Sequence, residues 1–147
     1  YVGNNREDFY GLNTFLNLAK LLPEIKFVTV GAEIKTSLSN VNCLGWVKDM
    51  SNVIRDSHVH IRWTFHDSLA NTVLETISEG RYVIWKNKYP GTIDCNNEKD
   101  LFEILISLYS EFKSGKLLLN THGRDLIFEQ FNKNRVLGEL IKSFNNK

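Results

Sequence analysis

Residues 59–75 read Val-His-Ile-Arg-Trp-Thr-Phe-His-Asp-Ser-Leu-Ala-Asn-Thr-Val-Leu-Glu. The stretch opens as a strand, Val59 to Trp63, rich in β-branched and aromatic residues. A polar turn through His66-Asp67-Ser68 follows. From Leu69 to Ser78 the apolar spacing becomes helical, and Gly80 closes it. Tyr82 to Trp85 is a second short apolar strand. A connection of that length cannot be a hairpin, so the two strands are expected to run parallel with the helix crossing over between them.

The same alternation extends in both directions. Upstream, Tyr1-Val2-Gly3 reads as the end of a strand, and Asp8 to Leu22 carries a helical period stopped by Pro23. Ile25 to Val30 and Val41 to Leu44 read as strands closed by Gly31 and Gly45, and Met50 to Arg55 as a short helix. Downstream, Asp100 to Phe112 is amphipathic, with a core stripe of Phe102, Leu105, Leu108 and Tyr109. Helical stretches at Arg124 to Phe131 and Asn134 to Phe144 complete the chain. The expectation is one α/β domain over residues 1–147, a Rossmann-like parallel sheet with helices on both faces and the C-terminal helices packing on it. A chain that begins within a strand is further expected to follow an N-terminal portion.

Composition bounds the function. With 147 residues, 42% of them hydrophobic, the chain is long enough for a core of its own. A net charge of +1 supplies no general attraction for nucleic acid or an anionic membrane. No apolar run approaches the ~18 residues that would span a bilayer. Cys43 and Cys95, two widely spaced thiols, read as reduced. No G-x-G-x-x-G, G-x-x-x-x-G-K-[ST] or G-x-S-x-G occurs, which argues against dinucleotide oxidoreductases, P-loop enzymes and elbow-type hydrolases. His58 and His60 alternate as strand neighbours on one face would, yet no further spaced ligand completes a zinc site.

In open parallel sheets, ligands bind outside the carboxyl ends of the strands. That directs attention to Gly3 to Arg6, Gly31 to Glu33, Gly45 to Val47, Trp63 to Thr72 and Lys86 to Pro90. The helix entered at Leu69 offers unpaired N–H groups and the positive end of its dipole to a diphosphate. Asp67 precedes that helix and Glu75 lies within it, two carboxylates suited to accept from vicinal hydroxyls.

Asp67 and Glu75, separated by seven residues, resemble the E-x7-E motif of the group 1 retaining GT-B glycosyltransferases. Three further stretches are similar to that family in order and spacing. They are Phe27-Val28-Thr29-Val30-Gly31, Asn42-Cys43-Leu44-Gly45-Trp46-Val47, and Val73-Leu74-Glu75-Thr76-Ile77-Ser78-Glu79-Gly80-Arg81-Tyr82-Val83-Ile84. The resemblance covers roughly residues 1 to 110 and implies a nucleotide-sugar donor domain, the C-terminal half of such an enzyme. It implies that Glu75 binds the donor ribose and Asp67 meets hydroxyls of the transferred sugar as the catalytic acid position. The backbone of Ser68, Leu69, Ala70, Asn71 and Thr72 would cradle the diphosphate, with Val47 beside the base and Gly3 and Arg6 at the first strand end. It implies no metal or other cofactor. The partners would be a UDP- or GDP-sugar, an N-terminal acceptor-binding domain, and a glycan or lipid acceptor. The setting would be the cytoplasm, at the inner face of a membrane if the acceptor is lipid-borne.

The sequence also departs from the family pattern. The first acid is Asp67, one methylene shorter than Glu. Tyr10-Gly11 stands where the family has Lys-Gly, and Asn4 stands near an expected Arg, leaving Arg6 as the nearest cation. Lys86-Asn87-Lys88-Tyr89-Pro90 replaces a Gly-Gly loop and offers a lysine for phosphate contact. These departures favour, as the alternative, a degenerate sugar-nucleotide-binding or scaffolding module without catalysis.

Overall fold

The computed structural model describes residues 1–3, 7–31 and 33–145. Its elements, in chain order, are α1 (Glu7–Tyr10), α2 (Leu12–Leu21), β1 (Phe27–Thr29), β2 (Val41–Cys43), α3 (Ser51–Asp56), β3 (Val59–Arg62), α4 (Asn71–Ser78), β4 (Tyr82–Trp85), β5 (Ile93–Asp94), α5 (Glu98–Lys113), α6 (Thr121–Gln130) and α7 (Lys133–Asn145). Every strand pairing among the described residues is parallel. β1 pairs with β2, β3–β4–β5 form a second sheet, and Val2 bridges to Val30 in the same sense. The fold is therefore α/β and Rossmann-like, as its alternating sequence requires.

Strand β4 shows why the sequence must fold this way. With a side-chain period of two, Ile84 enters a core with Phe15, Phe27, Ile61, Trp63, Leu101 and Leu105. Val83 and Trp85 point oppositely, into a second core with Val73, Ile77 and Ile127. Helices α2 and α5 cover the first face, and α4 and α6 cover the second. A strand buried on both sides has to be apolar throughout, which Tyr-Val-Ile-Trp is. Each fully buried aliphatic side chain in these cores contributes roughly 1.5–3 kcal/mol.

One expected helix is two. The pattern from Asp8 to Leu22 breaks at Gly11, whose φ of 69° lies in the left-handed region. A Cβ built there would fall onto the Trp63 carbonyl oxygen. Gly11 thus lets the α1–α2 turn press against the end of β3, a contact that helical periodicity does not encode. His58 and His60 likewise fail to share a face, because β3 begins at Val59. The His58 ring lies 4.5 Å from Phe112, whereas His60 is buried against Thr76.

At the far end, α5 and α6 are seated by Leu101, Leu105, Leu108 and Ile127. Helix α7 buries none of its described side chains, and Val136, Leu137, Leu140, Ile141 and Phe144 form an exposed apolar face along it. Among the described residues no helix is long and apolar enough to cross a membrane. Deleting residues 133–147 is expected to shift the thermal unfolding midpoint of the remainder by less than about 2 °C, since no buried contact is lost. Circular dichroism melts of the two lengths check this; a larger fall would show that α7 holds the domain together.

Candidate functional site

The carboxyl rim of the sheet is assembled from loops that bond to one another. The Gly3 N–H donates to the Val30 carbonyl (3.0 Å), and the Gly31 N–H to that of Gly45 (2.7 Å). The first three strand ends thus stand side by side, with half-buried Val47 just beyond. On the other half of the rim, the Phe65 N–H donates to the Phe9 carbonyl (2.8 Å), tying α1 to the loop that leaves β3. The Asn87 amide donates to the Asp67 carbonyl (3.2 Å), tying the loop after β4 to the same segment. Arg6 lies outside the described residues.

Asp67 is turned inward. Arg62, the last residue of β3, donates from Nε to Asp67 Oδ2 at 2.7 Å and from Nη2 to Oδ1 at 3.2 Å. Thr64 Oγ1 adds a third bond, to Oδ2, at 3.1 Å. The Arg62 and Asp67 side chains are only 10% and 11% exposed, and the guanidinium also lies 5.7 Å from the centre of the Tyr10 ring. The carboxylate expected to face a sugar is therefore already neutralised. It has roughly four lone-pair directions, and three are occupied. Arg62 itself escaped the sequence reading because it was absorbed into a strand. Its signal was a cation ending an otherwise apolar run, five residues before an acid.

Helix α4 begins at Asn71 rather than Leu69, so Ser68, Leu69 and Ala70 belong to the loop. Its N-cap is Ala70, which makes no side-chain bond, and no acidic residue lies in the first turn. The orphan N–H groups and the dipole end are left to solvent or a ligand. Glu75 is exposed, one turn along, and stands in no ion pair among the described residues. Asp67 and Glu75 thus differ sharply: one is committed to an internal pair, the other is free to accept.

Beneath α4, Thr76 Oγ1 donates to the Thr72 carbonyl (2.6 Å) and lies 3.2 Å from His60 Nδ1. With the hydroxyl proton used, Nδ1 must carry the imidazole proton and Nε2 is a bare acceptor. Burial holds His60 well below the ordinary histidine range, and the Arg62 charge acts the same way. Nε2 and the buried Thr72 hydroxyl have no protein partner, and both residues line a cavity of about 40 Å³. That space suits water and is far too small for a nucleotide. Of the three tryptophans, Trp63 and Trp85 are core, while Trp46 is 85% exposed at the end of β2.

No family model matches this chain, and no curated protein does. Solved structures do. Anabaena HepE in complex with UDP is 12% identical with a TM-score of 0.72 over 97% of this chain. The C-terminal domain of the group 1 family glycosyl transferase LpcC from Francisella tularensis is 14% identical with a TM-score of 0.66. That match covers 88% of this chain and 84% of LpcC's. The pneumococcal O-GlcNAc transferase GtfA in complex with UDP and GlcNAc is 16% identical with a TM-score of 0.62, over 99% of this chain and 35% of its own. This chain spans about half of HepE, 48% of its length. The likeness shows the fold, a Rossmann-like α/β domain, which in LpcC is the C-terminal domain.

Two outcomes test this geometry. Asp67→Ala should destabilise the protein by about 3 kcal/mol in urea unfolding, because it strands a buried guanidinium; Arg62→Met in the same chain should recover at least half of that. Equal loss in single and double variants would mean the pair is not coupled. His60, neutral when folded and titrating normally when unfolded, makes stability flat above its usual value of 6.5 and falling as pH drops below it. The slope approaches about 1.4 kcal/mol per pH unit. His60→Gln should flatten that part of the profile, and an unchanged slope would assign it to other groups.

Proposed function

We propose that this chain is the nucleotide-sugar donor domain of a glycosyltransferase. The observation that carries the reading is the uncapped, acid-free amino end of α4 at the carboxyl rim, with the unpaired Glu75 one turn along. A diphosphate placed there meets free N–H groups and a positive dipole, while Glu75 reaches ribose hydroxyls. The fold shared with HepE, LpcC and GtfA supports this choice, and the UDP of HepE and GtfA favours a UDP-type donor over GDP.

In this proposal the enzyme is of the group 1 retaining type and uses no metal. The helix end and nearby cations stabilise the charge that builds on the leaving diphosphate. Asp67, holding one free lone-pair direction, accepts from a sugar hydroxyl while Arg62 fixes its orientation. An N-terminal domain would hold the glycan or lipid acceptor and cover the apolar face of α7. A lipid acceptor would place the protein at the cytoplasmic face of its membrane. The commitment of Asp67 to Arg62 also favours a second reading, a binding module without turnover, and sugar transfer by the longer protein decides between the two.

Calorimetry with UDP and GDP tests the donor reading. UDP is expected to bind in the micromolar to millimolar range, and Glu75→Ala to weaken it at least about tenfold, a loss of 1.4 kcal/mol. No binding of either nucleotide at millimolar concentration would remove the proposal.

A further inference from the structure

Among the charges on the carboxyl rim, Arg62 is matched by Asp67, and Lys88 by Asp94 at 3.2 Å. Lys86 is different. It is half-buried, and among the described residues it stands in no ion pair. Its Nζ instead lies 4.3 Å from the centre of the Trp63 ring. Lys86 follows β4 as Trp63 follows β3, and the preceding residues, Arg62 and Trp85, are register partners. The two side chains therefore leave adjacent strands at the same level.

Trp63 is a fixed platform. It is 7% exposed, belongs to the core shared with α2 and α5, and takes the Gly11 turn against its backbone. A partly desolvated ammonium is costly without an anion, and an aromatic face offsets only part of that cost. A half-buried lysine on an aromatic face, standing in no ion pair among the described residues, is complementary to an anion that arrives from outside. The Asn87 amide, one residue on, donates to the Asp67 carbonyl, so the loop bearing Lys86 is tied to the segment that feeds α4. The turn on the other side, Tyr10-Gly11, brings no cation. It stacks Tyr10 on Arg62 and packs Gly11 on Trp63.

We infer that Lys86, positioned by the Trp63 ring, is the cation that meets the diphosphate of the nucleotide at the amino end of α4. The inference rests on the donor-domain reading. Lys86 supplies the charge from the end of β4, and Trp63 acts through it by restricting where the ammonium can lie.

Binding of uridine, UMP and UDP to the whole chain, followed by heteronuclear NMR titration, separates the possibilities. Lys86→Gln is expected to weaken UDP about tenfold or more while changing uridine by less than about twofold, with Lys86→Arg retaining most of the UDP affinity. Trp63→Phe should weaken UDP about threefold, again sparing uridine, as a poorer platform would. Unfolding midpoints of the variants serve as the folding control. Should the original chain bind UDP and Lys86→Gln bind it equally well, Lys86 is not the diphosphate ligand and the donor reading stands. A parallel loss of uridine and UDP in Lys86→Gln would assign Lys86 to the shape of the site instead and overturn the inference. Failure of the original chain to bind UDP overturns both.

Discussion

Arg62 ends a strand whose neighbours are buried on both faces, and a guanidinium in that position has to be neutralised where it stands. Asp67 does so through two bonds, with Thr64 supplying a third to the carboxylate. To bring Asp67 back onto Arg62, the chain must turn sharply within five residues, and that turn sets where α4 begins. The bond from Asn87 to the Asp67 carbonyl and the bond from Phe65 to Phe9 then gather the neighbouring loops around it. The rim is thus organised about one buried ion pair. Such a pair adds little net stability over an apolar substitute, but it fixes geometry, because breaking it leaves a charge without water.

The distribution of charge around that pair decides what the rim can do. Arg62 and Asp67 cancel, so neither presents a net field to a ligand. Among the described residues, the amino end of α4 stays uncapped, and Glu75 and Lys86 stand in no ion pair. Donor groups for a diphosphate and an acceptor for hydroxyls are therefore present together, on a domain fold that HepE and GtfA share. The same domain leaves the apolar face of α7 uncovered. A helix of 13 residues that buries none of its described side chains is marginal in water by itself.

Much of this was legible in the residues. Short apolar runs at Val59, Tyr82 and Phe27, separated by helical periods and closed by Gly31, Gly45 and Gly80, require parallel strands with crossovers. β4 matched its expected bounds, β1, β2 and β3 were placed to within one or two residues, and β5 was not foreseen. The break at Gly11 was hidden because Phe9, Leu12, Phe15, Leu18 and Ala19 keep a helical period across it. Only the approach of Trp63 demands the left-handed turn. The pairing of Asp67 was hidden for a similar reason: its spacing from Glu75 suggested a shared task, while the residue that claims it sits upstream in a strand.

The chain alone determined the alternation of strands and helices and the rim on which ligand-binding residues must lie. These follow from side-chain periodicity and backbone hydrogen bonding, which act over a few residues. Tertiary structure alone decided which charges on that rim are spent and which are free. It put Arg62 on Asp67, Lys88 on Asp94, and Lys86 on an aromatic face, in no ion pair among the described residues. Pairing of charges depends on distance and burial across different elements, and neither quantity is written in the order of residues along one of them.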